Sequence, residues 1–282
     1  MIQRSFKEKK PTLYVVATPI GNLEDMTLRA VHILESVDLI LTEDTRTSGV
    51  LLNHYNIKKP LLSYHEFNKY EQEQKIIDLL NDNKNIALIS DAGTPGISDP
   101  GYEIIVKVIE NGFHVVSIPG ASAILTALIS SGLVMQPFTF IGFLPKKISD
   151  IKSTLDTYSS HQETLVIYES PNRIEKTLKY LFESYGNRRV VLARELTKAF
   201  ETITRTTLKD AQDLEINTKG EYVIVLEGRQ LKDEPILGVK EHYLLLIEEG
   251  YPTKDAMKMV AKRHKLTKSE VYRMVKIDDI KA

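Results

Sequence analysis

Acidic side chains stand in two loops of this chain, where they could remove or hold a proton. Glu43, Asp44 and Arg46 follow the short apolar run Val37–Leu41. Asp99 lies in the loop Ser90–Gly101, which follows the apolar run Ile86–Ile89. A carboxylate that is desolvated or firmly oriented can act as a general base, and a guanidinium can grip a phosphate or steady a carboxylate. The sequence therefore predicts four candidate catalytic residues. For the first three, a helix start with Asp44 as its N-cap is the alternative interpretation.

The loop Ser90–Gly101 has the composition of a ligand-binding loop. It lies between the apolar run Ile86–Ile89 and the helical pattern Tyr102–Ile109. We therefore expect it at the carboxyl end of a buried strand, where open α/β sheets bind ligands. Its glycines let the backbone approach a ligand and its prolines stiffen it, and it is longer than the usual connection of about two to six residues. Pro100 is expected in the first turn of the following helix, with Asp99 as the cap.

Three further loops rich in Gly, Pro and small polar residues are predicted at the same edge of the sheet. These loops are Thr18–Leu23, Thr42–Arg46 and Pro119–Ala123. Small side chains at Ala92, Gly93, Ser122 and Ala123 would leave room for a flat group of nucleoside size. The chain has neither a Gly-x-Gly-x-x-Gly fingerprint nor a Gly-x-x-x-x-Gly-Lys loop, so we expect no ligand held by its pyrophosphate. For a single Pro-Gly turn, a purely structural role is the alternative.

Strand and helix patterns alternate through the first half of the chain, which predicts a mainly parallel sheet with helices on its faces. The strands predicted for this sheet are Leu13–Ala17, Val37–Leu41, Ile86–Ile89, His114–Ile118 and Phe138–Gly142. Beyond Leu144 a smaller domain with strands in mixed directions is predicted, with strands at Thr164–Tyr168, Arg189–Ala193, Thr202–Thr204 and Tyr222–Leu226. The predicted fold class is α/β: one domain at 1–144, a second at 145–230, a linker at Leu231–Gly238 and a helical tail at 239–282.

Composition excludes several kinds of site and partner. The chain has 282 residues and no cysteine, so disulfides, thiolate metal sites and cysteine nucleophiles are absent. His54 and His65 have no partner at metal-ligand spacing, and we expect no metal site. The residues before Lys10 carry no apolar segment of the secretory type, and no run approaches the length of a membrane span. The cytoplasm is the expected compartment.

The tail is the one strongly basic segment of a nearly neutral chain. Between Lys254 and Lys276 eight Lys and Arg face two acids, a local balance of +6 against −1 for the whole chain. Thr253–His264 and the pattern that begins with the capping box Thr267–Glu270 resemble a helix-turn-helix. We interpret the tail as a candidate surface for RNA. A tail that only supports dimerisation, or that is simply a solvated face, is the alternative.

The motifs of this chain, taken together and in order from Leu13 to Gly228, resemble those of the tetrapyrrole (corrin/porphyrin) methylase superfamily, and within it the ribosomal RNA small-subunit methyltransferase I family. The motifs that carry the resemblance are Thr18–Leu23, Glu43–Arg46, Ser63–Glu66, Ser90–Gly93 with Ile97–Gly101, Phe140–Pro145, Tyr168–Pro171 with Arg173, and Arg194–Lys198. The tail resembles the C-terminal helical domain of that family.

The resemblance implies S-adenosyl-methionine as methyl donor, bound in a cleft between two α/β domains. It implies a homodimer and 2′-O-methylation of a cytidine in the decoding region of small-subunit ribosomal RNA. The positions that it assigns to donor binding are Pro19, Ala92, Gly93, Thr94, Pro95, Ile97, Ala121, Ser122, Ala123, Tyr168, Ala193 and Tyr222. Two positions depart from the pattern: Thr94 stands where many members of the superfamily have Asp, and Ala121 where close relatives have a second proline.

Two other functions are compatible with these motifs. One is a different methylase of the same superfamily, acting on a tetrapyrrole carbon or in the diphthamide pathway, which should lack the basic tail. The other is a non-enzymatic RNA-binding module. For the loop that contains Tyr64 and His65, stacking on an RNA base is one hypothesis and packing within the protein is the other.

Overall fold

The computed structural model describes residues 2–5, 7–230 and 238–276. The chain divides into two compact units, Met1–Arg229 and Gln230–Ala282. Most of the predicted linker, residues 231–237, lies outside the described residues, as does 277–282 of the predicted tail. Across the described residues, no helix combines the length and apolar character needed to cross a membrane.

The first unit begins with a five-stranded parallel sheet. Its strands are β1 (Thr12–Val16), β2 (Leu39–Thr42), β3 (Leu61–Ser63), β4 (Ile86–Ile89) and β5 (His114–Ile118), and its helices are α1 (Leu28–Ser36), α2 (Thr45–His54), α3 (Lys69–Asn81) and α4 (Tyr102–Glu110). The strand order is β3-β2-β4-β1-β5, and every pair is parallel. All carboxyl ends therefore lie at one edge, as the alternating pattern predicted.

Helices cover both faces of this sheet because alternate residues of each strand point to opposite sides. Ile40 packs in one core cluster with Leu34 of α1, whereas its neighbour Leu41 packs in the other with Ile76 of α3 and Ile104 of α4. All five side chains are fully buried. The helices that follow β1 and β4 thus leave the sheet on opposite faces, which opens a crevice between the ends of these adjacent strands.

The second sheet has strands in mixed directions, as predicted. Its elements are α5 (Ala123–Ser131), β6 (Phe138–Phe143), α6 (Ile148–Tyr158), β7 (Thr164–Glu169), α7 (Ile174–Tyr185), β8 (Arg189–Arg194), β9 (Thr202–Thr207) and β10 (Tyr222–Leu226). The order is β6-β7-β10-β8-β9, with β6 and β7 parallel and the other pairs antiparallel. One face packs on α5 and the other on α6 and α7.

The assignment of the strand Phe138–Gly142 to the first sheet is wrong. This segment forms β6, which pairs with β7 from Phe138 opposite Thr164 to Phe143 opposite Tyr168. Periodicity identifies a strand but carries no information on its pairing partner, which is selected by packing. The second sheet thus begins at Phe138, before Leu144. The division into domains at 1–144 and 145–230 stays a prediction.

Two elements of the first unit, β3 and α6, were not predicted, and α2 was predicted only by the alternative interpretation of Asp44 as an N-cap. In β3 only three residues pair, so the apolar run is too short to separate from loop. The predicted strands Ile86–Ile89, His114–Ile118 and Tyr222–Leu226 coincide with β4, β5 and β10, whereas the ends of the other strands differ by one to three residues. Strand β2 begins at Leu39, because Val37 is the C-cap of α1.

The second unit is helical, as predicted for the tail, and its described residues form three helices. They are α8 (Val239–Glu248), α9 (Thr253–His264) and α10 (Lys268–Lys276). Leu246, Val260 and Val271 pack in one apolar cluster that holds the three helices together. The capping box is confirmed: Thr267 N donates to Glu270 Oε2 over 2.7 Å, and Glu270 N donates to Thr267 Oγ1 over 3.3 Å.

The turn after β5 allows a test of how closely the loops at the sheet edge approach one another. A Cβ atom added to Gly120 would lie 2.9 Å from Ala17 Cβ and 3.3 Å from Ala17 O, whereas one added to Gly49 in α2 meets nothing within 4 Å. We expect Gly120→Ala to lower the free energy of unfolding by about 1–3 kcal/mol. Gly49→Ala should raise it by about 0.5–1 kcal/mol, because alanine favours the helix. Urea unfolding of both variants measures the two changes in the free energy of unfolding. Changes of the same sign in the two variants would contradict the close approach of Gly120 to Ala17.

Candidate active site

Two backbone hydrogen bonds join the loops that follow β1 and β4. Thr18 N donates to Gly93 O over 2.8 Å, and Gly93 N donates to Thr18 O over 3.2 Å. The Thr18 hydroxyl also donates to Ser90 O over 3.2 Å. Gly93 has a φ of +79°, in the region that glycine adopts without strain. The two loops are therefore held together where the crevice between β1 and β4 begins.

A cavity of about 420 Å³ opens at this crevice. Its volume lies within the range of about 300–1,000 Å³ that is typical of small-molecule sites. Both sheets contribute to its wall, because loops of the first sheet meet the ends of β7 and β10. The lining residues are Ile20, Asp91, Ala92, Gly93, Thr94, Ile97, Ser98, Asp99, Ser122, Ala123, Ile124, Phe143, Tyr168, Glu169, Ser170, Pro171, Leu196, Glu221, Tyr222 and Val223.

The structure brings most of the predicted donor-binding positions together at this cavity. Those that line it are Ala92, Gly93, Thr94, Ile97, Ser122, Ala123, Tyr168 and Tyr222. Four others, Pro19, Pro95, Ala121 and Ala193, are not among the lining residues. Pro19 and Pro95 are buried beneath the loops, and Ala193 is fully buried under α5. Contact of any of these positions with a ligand stays a prediction.

Several lining residues were missed by sequence reasoning. Ile20 and Ile124 stand inside or next to loops that the sequence had singled out, so the signal was present and only the side chain was overlooked. Phe143, Leu196 and Glu221 come from the second sheet and its connections. Phe143 and Leu196 lie in the motifs Phe140–Pro145 and Arg194–Lys198, which the sequence had singled out without a role for these side chains. Glu221 lies in none of the quoted motifs, and its place at the cavity depends on how the two sheets pack.

The two tyrosines at the cavity differ in what their hydroxyls can do. The Tyr222 hydroxyl donates to Asn217 O over 2.8 Å. The ring of Tyr168 lies edge-on to Phe140 and Phe143, with ring centroids 4.9 and 5.5 Å away. Burial, and next to it the charge of Asp99, raises the pKa of Tyr168 to about 12. Tyr168 therefore stays neutral and forms part of an aromatic wall.

Four carboxylates line the cavity, and two of them are already held by other groups. Glu169 accepts from Thr177 Oγ1 over 2.6 Å and from Ser170 N over 2.8 Å. Glu221 pairs with Lys198 over 2.9 Å. Asp91 and Asp99 have no ion pair among the described residues. Both are therefore available to a bound group.

Asp99 combines partial burial with a hydrogen-bond partner. Burial raises the pKa of the Asp99 carboxyl, and the negative charge of Asp91 raises this pKa further. A hydrogen bond from the Ser90 side chain opposes the rise. Burial also raises the pKa of Asp91, although this carboxylate accepts from Asp44 N over 3.3 Å. A carboxylate with a raised pKa is a stronger base than an ordinary one.

Glu43 lies close to these two carboxylates, although it is not among the residues that line the cavity. Burial raises its pKa, and repulsion by Asp99 and Asp91 adds to the effect, while His65 opposes it. The loops after β2 and β4 thus bring together carboxylates that the sequence separates by about fifty residues. The predicted meeting of these loops is confirmed by the strand order.

Asp44 has a different environment from that of Asp99. Its carboxylate accepts from Arg46 Nε over 3.1 Å and from Arg46 Nη2 over 2.6 Å, and it also accepts from Arg46 N over 2.8 Å. These hydrogen bonds, together with the charge of Arg46, lower the pKa of Asp44 to about 2. Asp44 is thus the N-cap of α2, as the alternative interpretation held.

One sequence-based expectation about this edge is wrong. Asp99 does not cap α4, because the helix begins at Tyr102 with Gly101 at the cap position, so that Asp99 and Pro100 remain in the loop. Of the two hypotheses for the loop that contains Tyr64, packing within the protein holds for Tyr64, which is 1% exposed. The exposed aromatic of this segment is Phe67, at 97%.

The pair Asp44–Arg46 predicts a measurable titration. We expect Arg46→Gln to raise the pKa of Asp44 from about 2 towards the ordinary value of 3.8, because the guanidinium hydrogen bonds are lost. Carboxyl carbon chemical shifts followed against pH measure both values. The matched control is Arg29→Gln, for which the Asp44 titration should not change. An Asp44 pKa that stays near 2 without Arg46 would contradict this account.

The sequence and fold were compared with those of known proteins. The family model described as Tetrapyrrole (Corrin/Porphyrin) Methylases matches residues 12–212. A Bacillus subtilis protein named ribosomal RNA small subunit methyltransferase I is 44% identical, covering 96% of each chain. A Haemophilus influenzae protein of the same name is also 44% identical, covering 92% of this chain and 94% of its own.

Solved structures of low sequence identity share the fold. Uroporphyrin-III-C-methyltransferase from Thermus thermophilus aligns with a TM-score of 0.57 at 18% identity, covering 77% of this chain and 94% of its own. A diphthine synthase aligns with a TM-score of 0.59 at 12% identity, covering 77% and 90%. The family match covers the first sheet and the second sheet as far as β9, and it ends before β10. This chain therefore belongs to the tetrapyrrole (corrin/porphyrin) methylase family, and within it to the ribosomal RNA small subunit methyltransferase I group.

Proposed function

We propose that this protein transfers a methyl group from S-adenosyl-methionine to the 2′-oxygen of a cytidine ribose in the decoding region of small-subunit ribosomal RNA. The observation that carries the proposal is a cavity at the meeting of two sheets, walled by small-residue loops and containing the half-buried carboxylate of Asp99. The names of relatives 44% identical over almost the whole chain support the RNA substrate. The cytoplasm is the proposed compartment, since ribosomal subunits are found there.

The cavity fits the methyl donor in size and chemistry. Ala92, Gly93 and Ala123 leave the backbone of two loops open to a ligand, while Ile20 and Ile124 supply apolar surface for a flat base. The carboxylates of this edge favour a cationic ligand over an anionic one. A sulfonium is such a cation, and when bound it supplies an electrophilic methyl group.

Asp99 is the proposed general base. A ribose hydroxyl is a weak nucleophile, so removal of its proton must accompany attack on the methyl carbon. Asp99 lines the cavity, and its pKa is raised by burial and by the charge of Asp91. Asp44, with its pKa near 2 and its carboxylate held by Arg46, is a poor base. The proton passes to the carboxylate, and no metal is required because the leaving group is a neutral thioether.

The activity is tested with purified protein, S-adenosyl-methionine carrying a labelled methyl group, and small ribosomal subunits from cells that lack this enzyme. Nuclease digestion and mass spectrometry should locate the label on the 2′-oxygen of one cytidine in the decoding region. Label on another nucleotide, or no label despite calorimetric binding of the donor, would overturn the proposed substrate. In that case a tetrapyrrole or protein acceptor becomes the hypothesis to test.

Two isosteric variants test the proposed base. We expect Asp99→Asn to lower kcat about 10²–10⁴-fold, the usual contribution of general base catalysis, with donor affinity retained. Asp44→Asn should retain kcat. In the wild type, the rate should rise with pH through the raised pKa of Asp99. In Asp91→Asn this rise should move to lower pH, because a charge that raises the Asp99 pKa is gone. Loss of turnover in Asp44→Asn alone would reassign the base.

A homodimer is proposed as the working form. Leu125 and Ile129, one helical turn apart on the outer face of α5, are 50% and 68% exposed, and Val134 and Met135 just after the helix are 61% and 50% exposed. Large apolar side chains gathered on one surface of this kind usually mark a protein interface. Their exposure within a well-packed unit supports a second copy of the chain as the occupant.

A charge on this surface should separate the dimer. We expect Ile129→Lys to give a monomer in sedimentation velocity, because a lysine would be desolvated in a closed interface. Leu28→Lys, at a position that is 82% exposed on α1, is the control and should leave the mass unchanged. A wild-type monomer at micromolar concentration would refute the dimer.

A further inference from the structure

We infer that α9 and α10 form the docking surface for the phosphate backbone of the RNA substrate, separate from the residues that do the chemistry. This inference rests on the proposed function, since it takes ribosomal RNA as the partner. It starts from an uneven charge distribution. The segment Lys254–Lys276 carries +6 in a chain of −1, which leaves −7 on all other residues.

The candidate active site contains acidic residues and lies outside the basic segment Lys254–Lys276. Repulsion by Asp91 and Asp99 raises the pKa of Glu43, and repulsion by Asp91 raises the pKa of Asp99, so the three carboxylates share one region of negative potential. A polyanion gains no Coulombic attraction there. The affinity of the protein for RNA must therefore come largely from another surface, because phosphate contacts dominate RNA binding.

The three-helix unit provides such a surface. On α9, Lys254, Lys258 and Lys262 follow at four-residue spacing, so they form one stripe with a rise of about 6 Å between neighbours. All three are exposed, whereas Ala256 and Val260 on the opposite side of the helix are buried. The amphipathic packing of the tail thus turns its cations outward.

Exposed cations continue past this stripe. They are Arg263, Lys265, Lys268 and Arg273. Within residues 238–276, no ion pair involves any of these side chains or the lysines of the stripe. Of the two acids in the segment, Glu270 is engaged in the capping box with Thr267. Hydrogen bonds from Thr267 and the charge of Arg273 lower the pKa of Glu270, but none of these cations is held in a salt bridge among residues 238–276.

An RNA backbone fits this surface better than an apolar partner does. The centre of the stripe is made of long cationic side chains, and lysines are depleted from the cores of protein interfaces. Exposed cations without acidic partners are the ordinary phosphate contacts of nucleic-acid-binding proteins. The helices would contact phosphates rather than read bases, since the deep major groove of RNA does not admit side chains.

The salt dependence of RNA binding tests this inference. The variant is the triple substitution Lys254→Gln, Lys258→Gln and Lys262→Gln, because glutamine keeps the helix propensity of lysine. The matched control replaces three exposed lysines of α6 and α7, Lys152→Gln, Lys176→Gln and Lys179→Gln, which removes the same charge. The probe is small-subunit ribosomal RNA transcribed in vitro, with binding to the full-length protein measured between 50 and 200 mM salt.

We expect the slope of log K against log salt to shrink by about 2–3 in the tail variant, since each lost phosphate contact removes about 0.7–0.9. The control variant should keep the wild-type slope. Calorimetric binding of S-adenosyl-methionine should be equal in all three proteins, which shows that the first unit is intact. An unchanged slope in the tail variant would overturn the inference, as would an equal loss in both variants.

Turnover separates this inference from the proposed function. The tail variant should have a raised KM for the ribosomal subunit and an unchanged kcat, because the chemistry lies elsewhere. Tail-dependent RNA binding by a wild type that transfers no methyl group would refute the proposed function and leave the docking surface standing. Methyl transfer with a wild-type KM in the tail variant would refute the docking surface and leave the proposed function standing. A tail variant that becomes monomeric while keeping its salt slope would identify an association surface and overturn the inference.

Discussion

The backbone pairing of Thr18 with Gly93 is the contact on which the cavity depends. Parallel strands place their following loops at one edge, but loops that leave towards opposite faces diverge unless something joins them. Here two hydrogen bonds continue the association of β1 and β4 beyond the sheet. The pairing requires a residue that adopts a φ of +79° at position 93, which explains why glycine stands there. Residues on either side of this joint, Ile20 and Ala92 among them, then form the cavity wall.

The carboxylates near the cavity have different pKa values because their surroundings differ. Asp44 is held by the guanidinium of Arg46, so its charged form is stabilised and its pKa falls to about 2. Asp99 loses water without gaining a cation, so its neutral form is favoured and its pKa rises. Glu169 is more deeply buried than either, but hydrogen bonds from Thr177 and Ser170 engage it in the structure. Of Asp44 and Asp99, only Asp99 combines access to the cavity with a raised pKa.

The charge of the chain is uneven along the sequence. The segment Lys254–Lys276 carries +6, although the unit that contains it, residues 230–282, carries only +2 and residues 1–229 carry −3. Carboxylates that suit a sulfonium and a proton transfer are unfavourable for a phosphate backbone. The docking role inferred for the tail would place these two requirements on separately folded parts. The tail has its own apolar core around Val260 and Val271.

Sequence alone determined the parallel sheet and the convergence of its loops, because periodicity and strand direction are local properties with one geometric consequence. It also located the small residues at Ala92 and Ser122 and the helical tail. Only the tertiary structure decided that β6 belongs to the second sheet, that Tyr64 is buried, and that Asp99 rather than Asp44 faces the cavity. Pairing partners, burial and pKa depend on residues that are distant in the chain and meet only when the two sheets pack together.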